Sequence, residues 1–255
     1  MAVLDHVPGI EVTVQVNGRT ATEYDPPDIP DDEEEAIATK YIECIDGANF
    51  SIDTRVTWDY DWGYRNHMLK FRYYVDGAYT RGKVIDTSKI RNGVASSLSD
   101  GRRSYCPRTH QWVHQRYQFS AINTVDDATK ERIEHDMETA KDLGCIEVRV
   151  TRTIYLGKSS SRPSKHKRNP IENSDLEISE KSLKGKATSH GTSYSHSTRT
   201  HAPISIHVED IEEDGGPIAI YRFYYRSRDA LKREMVIPRS PSPPAPEIAR
   251  MSRAS

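Results

Sequence analysis

Asp59, Asp61 and Gly63, in the stretch TWDYDWGY, have the spacing that opens a calcium loop, where carboxylates at alternate positions converge on a hard cation. The residue that should close such a loop with a bidentate glutamate is Lys70, so the charge count and the geometry both fail and no metal is expected. The same stretch gathers Trp58, Tyr60, Trp62 and Tyr64, flat rigid side chains that can stack on a sugar or hold a peptide at low entropic cost. Trp58 and Trp62 are therefore candidate contact residues. The plainer reading is a turn whose aromatics cover one end of a folded core.

His190, His196, His201 and His207 are separated by five, four and five residues, with no cysteine among them and no short H-x-x-x-H pair, so they form no recognisable metal motif. No G-x-S-x-G, H-E-x-x-H, P-loop or dinucleotide fingerprint occurs in the chain. No catalytic residue and no cofactor is expected, although a hydrolase built from scattered residues is not recognisable by motif. Arg222, Arg226, Arg228, Lys232 and Arg233 concentrate basic charge beside Tyr221, Tyr224 and Tyr225, an interleaving that can bind single-stranded nucleic acid by stacking and charge. A second basic run, Lys158, Arg162, Lys165, Lys167 and Arg168, resembles a minimal nuclear-import patch. Ser240-Pro241 and Ser242-Pro243 follow in a proline-spaced tail open to a proline-directed kinase. Phosphates there would lie within reach of the Arg222 to Arg233 concentration and could mask it.

What must position these residues is a chain with 35% hydrophobic and 29% charged residues, a formal net charge of −2 and a mean hydropathy of −0.75. Lys plus Arg (36) nearly cancels Asp plus Glu (38), so no global field selects nucleic acid, membrane or an acidic substrate. The start, MAVLDHVPGIEV, lacks a basic, apolar signal pattern, and no apolar run approaches a membrane span. Cys44, Cys106 and Cys145 are odd in number and far apart, which suggests neither disulfides nor a zinc site. The chain reads as intracellular, cytoplasmic or nuclear.

Local pattern supplies the elements. Leu69, Phe71, Tyr73 and Val75 alternate with Lys70, Arg72 and Tyr74, and Asp76-Gly77 supplies the positive φ of a two-residue hairpin, so a return strand runs from Ala78 to Ile85. Ile10, Val12, Val14 and Val16 form an earlier strand that turns at Asn17-Gly18 and pairs with a second strand ending near Tyr24. Residues 25–35, DPPDIPDDEEE, hold three prolines and seven acids and read as an acidic surface loop. Strands are expected at residues 39–45, 50–56, 112–121, 146–156, 204–208 and 218–225. Residues 94–106 look too small, polar and glycine-broken for one. Thr124 or Asp126 can cap a surface helix with Ile133, Met137 and Ala140 on one face and Gly144 at its end. Ser227 can cap a shorter one over RDALKREM.

Many short strands with turn signals and one or two short helices predict an all-β antiparallel β-sandwich or jelly-roll-like fold. A single discontinuous domain is expected from residues 8–156 and 204–234. Residues 157–200, basic and rich in Ser, Thr and His, and the Pro/Ser-rich residues 238–255 hold too little apolar surface to offset ordering and are expected to be disordered, with a helical turn at ISEKSLKG.

VPGIEVTV at residues 7–14, TKYIE at 39–43, YVDG at 74–77, EKSLKGKATSH at 180–190 and YYRSRDALKREMVIPRSPSP at 224–243 give the chain its resemblance to an uncharacterised fungal family, a domain of unknown function in hypothetical proteins. The resemblance implies a β-rich domain with low-complexity flanks and carries over no activity or site residue. The functional expectation is a non-enzymatic binding or scaffolding module with a protein partner. A sugar- or small-ligand-binding sandwich, a nucleic-acid-associated protein and an unrecognised hydrolase are the alternatives.

Overall fold

A computed structural model of the chain describes residues 2–27, 36–63, 66–126, 129–158, 177–184 and 188–238. In chain order the strands are β1 (Ile10–Val16), β2 (Arg19–Thr20), β3 (Glu23–Tyr24), β4 (Ile37–Glu43), β5 (Asn49–Thr57), β6 (Met68–Val75), β7 (Ala78–Ile85), β8 (Val94–Ser99) and β9 (Gly101–Cys106). There follow β10 (Gln111–Ala121), β11 (Asn123–Val125), helix α1 (Lys130–Asp142), β12 (Cys145–Lys158), β13 (Glu177–Ser179), helix α2 (Glu180–Leu183), β14 (His190–Tyr194), β15 (Thr198–Thr200), β16 (Ile206–Asp210), β17 (Ala219–Arg226) and helix α3 (Arg228–Arg233).

Among the described residues all of these strands but β11 and β13, which pair with each other, form two large sheets. One runs β14-β10-β5-β1-β2, with β8 on β5 and β9 and β15 on β10; the other runs β3-β4-β17-β12-β6-β7, with β16 on β12. Each sheet presents its period-2 apolar face to the other. Phe71, Tyr73, Val148, Tyr221 and Phe223 of the second sheet share one buried core with Val12, Val14, Phe50, Ile52, Tyr117 and Phe119 of the first. Tyr221 donates its hydroxyl across the gap to the Ile10 carbonyl at 3.1 Å. Phe50 stacks on Phe119 at 4.4 Å and Tyr117 at 5.1 Å between ring centres. The result is the expected sandwich.

The core also holds hydroxyls, and three of them, on Tyr117, Thr80 and Tyr73, are joined in a chain. Tyr117 donates to Thr80 Oγ1 at 2.7 Å, Thr80 donates on to the Tyr73 carbonyl at 3.1 Å, and the Tyr73 hydroxyl lies 3.1 Å from Thr54 Oγ1. Burial pushes the Tyr117 phenol up to about 12. Replacing Tyr117 by Phe removes the donor and should lower stability by about 1–2 kcal/mol in a urea titration. An unchanged midpoint would show that this network contributes nothing.

The structure differs from the local reading at several points. The β1–β2 hairpin holds only two residue pairs, and β1 spends its length on β5, from Ile10 against Val56 to Val16 against Phe50. Residues 94–106 are the strands β8 and β9, whose buried Ala95, Ser97, Ser99 and Ser104 pack although they are small or polar. Not every pair is antiparallel: β17 runs parallel to β4, and β13 to β11. Helix α1 is capped by Thr129, which accepts from the Arg132 N–H at 3.3 Å; it buries Asp136 and Ala140 and leaves Met137 exposed.

The largest correction concerns residues 157–200. Gly157 and Lys158 end β12, and the segment also supplies β13, α2, β14 and β15. β14 pairs with β10 from Tyr194 against Tyr117 to His190 against Ala121, so a polar strand gains order from backbone hydrogen bonds to a neighbour rather than from apolar content of its own. Residues 180–183 form the helical turn that ISEKSLKG predicted, and Ile178 and Leu183 pack on Ala140 of α1 and on Leu143 just beyond its end. Residues 159–176, 185–187 and 239–255 lie outside the described residues, as do 28–35 of the acidic loop.

Candidate binding cleft

β7 ends the second sheet, and its register decides where its charges point. Pairing with β6 starts at Val75 against Ala78 and Tyr74 against Tyr79, then shifts by one residue so that Arg81 faces Tyr73 and Lys83 faces Phe71. Thr80 is the extra residue of this bulge. Cross-strand partners share a face, and Tyr73 and Phe71 are fully buried, so Arg81 and Lys83 stand on the inner side of the sheet, at the open flank of the sandwich.

There the two sheets diverge around a cleft of about 820 Å3. Tyr79, Arg81 and Lys83 line it from β7, and Arg103, Trp112 and His114 line it from β9 and β10. Arg81 donates to the Leu98 carbonyl at 3.3 Å. Lys89 stands close behind, its Nζ 2.5 Å from the Val84 carbonyl and 3.4 Å from Asp86. Asp100, the one carboxylate in the lining among the described residues, is engaged by His114 at 3.2 Å and Arg116 at 3.9 Å. The hydrogen bond from His114, opposed by burial, holds the Asp100 carboxyl below the usual carboxylate range. Lys83 and Arg103 have no side-chain hydrogen bond or carboxylate partner among the described residues. Burial first, and then repulsion from Arg81, Lys89 and Arg103, holds the Lys83 ammonium below the usual lysine range. An anion in the cleft would relieve that repulsion.

The residues singled out from the sequence fall elsewhere. Arg226 is only 9% exposed and donates to the Gly144 and Tyr225 carbonyls, so it is a structural clamp rather than an interaction residue. Arg222 pairs with Glu147 at 2.8 Å and Arg228 with Glu43 at 3.0 Å; Lys232 is half-buried, and Arg233 is exposed. The five therefore do not make one free basic surface. Trp62 packs on Tyr60 at 4.8 Å and His67 at 5.5 Å, covering the end of the core, whereas Trp58 is 60% exposed. Arg162, Lys165, Lys167, Arg168, Ser240 and Ser242 lie outside the described residues. His190 sits on β14 beside Ser189 at 2.8 Å, and His207 lies on β16 of the other sheet. The three cysteines are free, and burial pushes the thiols of Cys44 and Cys145 up to about 12, which makes both poor nucleophiles at neutral pH.

None of Arg81, Lys83 or Arg103 stands out in the sequence. Arg103 is twenty residues from Lys83, and only the meeting of β7 with β9 brings them together. The nearest local signal is the Arg81-Gly82-Lys83 alternation on an otherwise ordinary return strand.

Fold and cleft together define a β-sandwich domain with a basic cleft at its open flank. The chain belongs to the family described as a domain of unknown function, DUF7918, whose match covers residues 9–240. No curated protein and no solved structure matches it. Among the described residues no helix is long and apolar enough to cross a membrane.

Proposed function

We propose that the domain is a non-enzymatic intracellular binding module that takes an anionic ligand in the cleft between β7 and the β9–β10 pair. The observation that carries this reading is the facing of Lys83 and Arg103, cations with no carboxylate partner among the described residues, into one concavity. Concave sites with a few convergent charged groups are the usual form of a ligand pocket, and opposite charge gives a partner both orientation and rate. The fungal setting of the resemblance and a protein partner fit the same reading.

Fluorescence anisotropy with labelled octaglutamate at 20 mM salt tests it. The wild-type chain should bind, and Lys83→Glu with Arg103→Glu should weaken binding at least tenfold. Trp58→Ala, outside the cleft lining, should leave binding unchanged. Raising salt to 0.5 M should weaken the wild-type interaction, because exposed charges are screened beyond about 10 Å already at 0.1 M. Equal binding by wild type and the double variant would remove the cleft from consideration.

A further inference from the structure

One wall of the cleft is a free strand edge. β7 pairs with β6 on one side and, among the described residues, with no strand on the other. Of its carbonyls, that of Val84 accepts from Lys89, and no backbone hydrogen bond joins β7 to a strand other than β6 among the described residues. A free edge is a template for another chain, and proteins usually guard it with a bulge or with inward-pointing charges. β7 has both, the bulge at Thr80 and the cations Arg81 and Lys83.

That guard discriminates by charge. An apolar strand laid along β7 would bury Arg81 and Lys83 with no opposing charge from that strand, which is costly. A strand with carboxylates at alternate positions would place them on the same face as Arg81 and Lys83, two residues or about 7 Å apart along β7. Arg103 faces that position from β9. The rings in the lining are engaged, Trp112 against Tyr105 at 5.8 Å and Tyr79 against Tyr74 at 5.7 Å, so the cleft offers a backbone edge and cations rather than a row of open stacking platforms for bases.

Resting on the anion-binding reading, the geometry points to an occupant: an extended acidic peptide segment of a partner that adds as a strand to the free edge of β7, its alternate carboxylates facing Arg81 and Lys83 and Arg103 closing from across the cleft. Main-chain hydrogen bonds supply the affinity in this mode and alternate side chains the specificity.

The experiment uses the full chain and a labelled peptide, Thr-Glu-Val-Glu-Val-Glu-Thr, at 20 mM salt. The peptide should bind, its Gln-for-Glu version at least tenfold more weakly. A version N-methylated at alternate amides, with charge unchanged, should also lose at least tenfold. In the wild-type chain, peptide should slow amide hydrogen exchange within residues 78–85, a readout that needs no variant to fold. Arg81→Glu with Lys83→Glu should lose the acidic peptide and gain the Thr-Lys-Val-Lys-Val-Lys-Thr counterpart. Equal binding of the N-methylated peptide would overturn strand addition while leaving the anion reading standing; failure of octaglutamate and peptide alike would end both. Tighter binding of oligothymidylate than of the peptide, lost in the same variant, would overturn the proposal in favour of nucleic acid.

Discussion

Replacing Asp76 by Ala should destabilise the domain by about 3–5 kcal/mol, a fall of roughly 10 °C in melting temperature for a chain of this size. Asp76 opens the β6–β7 turn with a φ of 49°, followed by Gly77 at 71°, and as a residue it is partly buried. Its carboxylate points inward. Oδ1 accepts from the Gly144 N–H and Oδ2 from the Thr192 N–H, both at 2.8 Å, and the Tyr225 hydroxyl lies 2.7 and 2.8 Å from the two oxygens. One side chain thus ties the β6–β7 turn to the start of β12, to β14 and to β17. Ala leaves three donors without their acceptor, and a buried donor left unpaired costs about 1–3 kcal/mol. Burial pushes the Asp76 carboxyl above the usual range, outweighing the pull of Tyr225, Gly144 and Thr192 in the other direction. Because the folded value lies above the unfolded value of about 3.9, the native state holds the proton more tightly, and the stability this linkage confers is lost as pH rises through the raised value. The margin of wild type over Asp76→Ala in urea titrations should therefore be wider at pH 4 than at pH 7. A margin that widens toward neutral pH would reverse the sign assigned to the carboxylate.

The second large effect is expected at Arg226. Its Nη1 donates to the Gly144 carbonyl at 3.0 Å and the Tyr225 carbonyl at 2.9 Å, its Nε faces Glu234 at 3.4 Å, and the guanidinium lies over the rings of Tyr224 and Tyr41 at 5.5 and 6.0 Å. Arg226→Ala should cost about 2–4 kcal/mol, because it empties a packed site and strips two carbonyls and Glu234 of a charged donor. An arginine serving only as a surface contact would cost about 0.5 kcal/mol or less. Thermal melts separate the two, and a shift under about 1 °C would return Arg226 to the surface. Gly144 links this cluster to the first. It donates to Asp76 and accepts from Arg226, its φ is +74°, and an added Cβ would collide with the Arg226 guanidinium. The losses at Asp76 and Arg226 should therefore not add in the double variant, since both act on one residue.

Much of the frame was legible because its causes are local. The alternation from Leu69 to Val75, the Asp76-Gly77 turn and the return to Ile85 require only a period of two and two residues that tolerate positive φ. The same holds for β10, β12 and β17, and for α3, whose Ser227 cap accepts from the Ala230 N–H at 3.3 Å. β14 and β15 escaped the reading because HGTSY and TRT carry no apolar stripe. Their order comes from β10, which lends them a ladder, and from Asp76, which accepts the Thr192 N–H.

By itself, then, the amino-acid order determined a β-sandwich, its main turns, its aromatic core positions and the lack of any motif for metal, nucleotide or nucleophile. The tertiary structure alone decided which charges are free. Arg222, Arg226 and Arg228, conspicuous in the chain, are each held by a neighbour or buried, while Lys83 and Arg103, inconspicuous in it, meet across a cleft. The physical reason is a shift of one residue. Counted from the turn without a bulge, Arg81 and Lys83 would fall on the outer face of the sheet; Thr80, drawn inward by its hydrogen bonds to Tyr73 and Tyr117, takes one place in the register and turns both cations to the inner side.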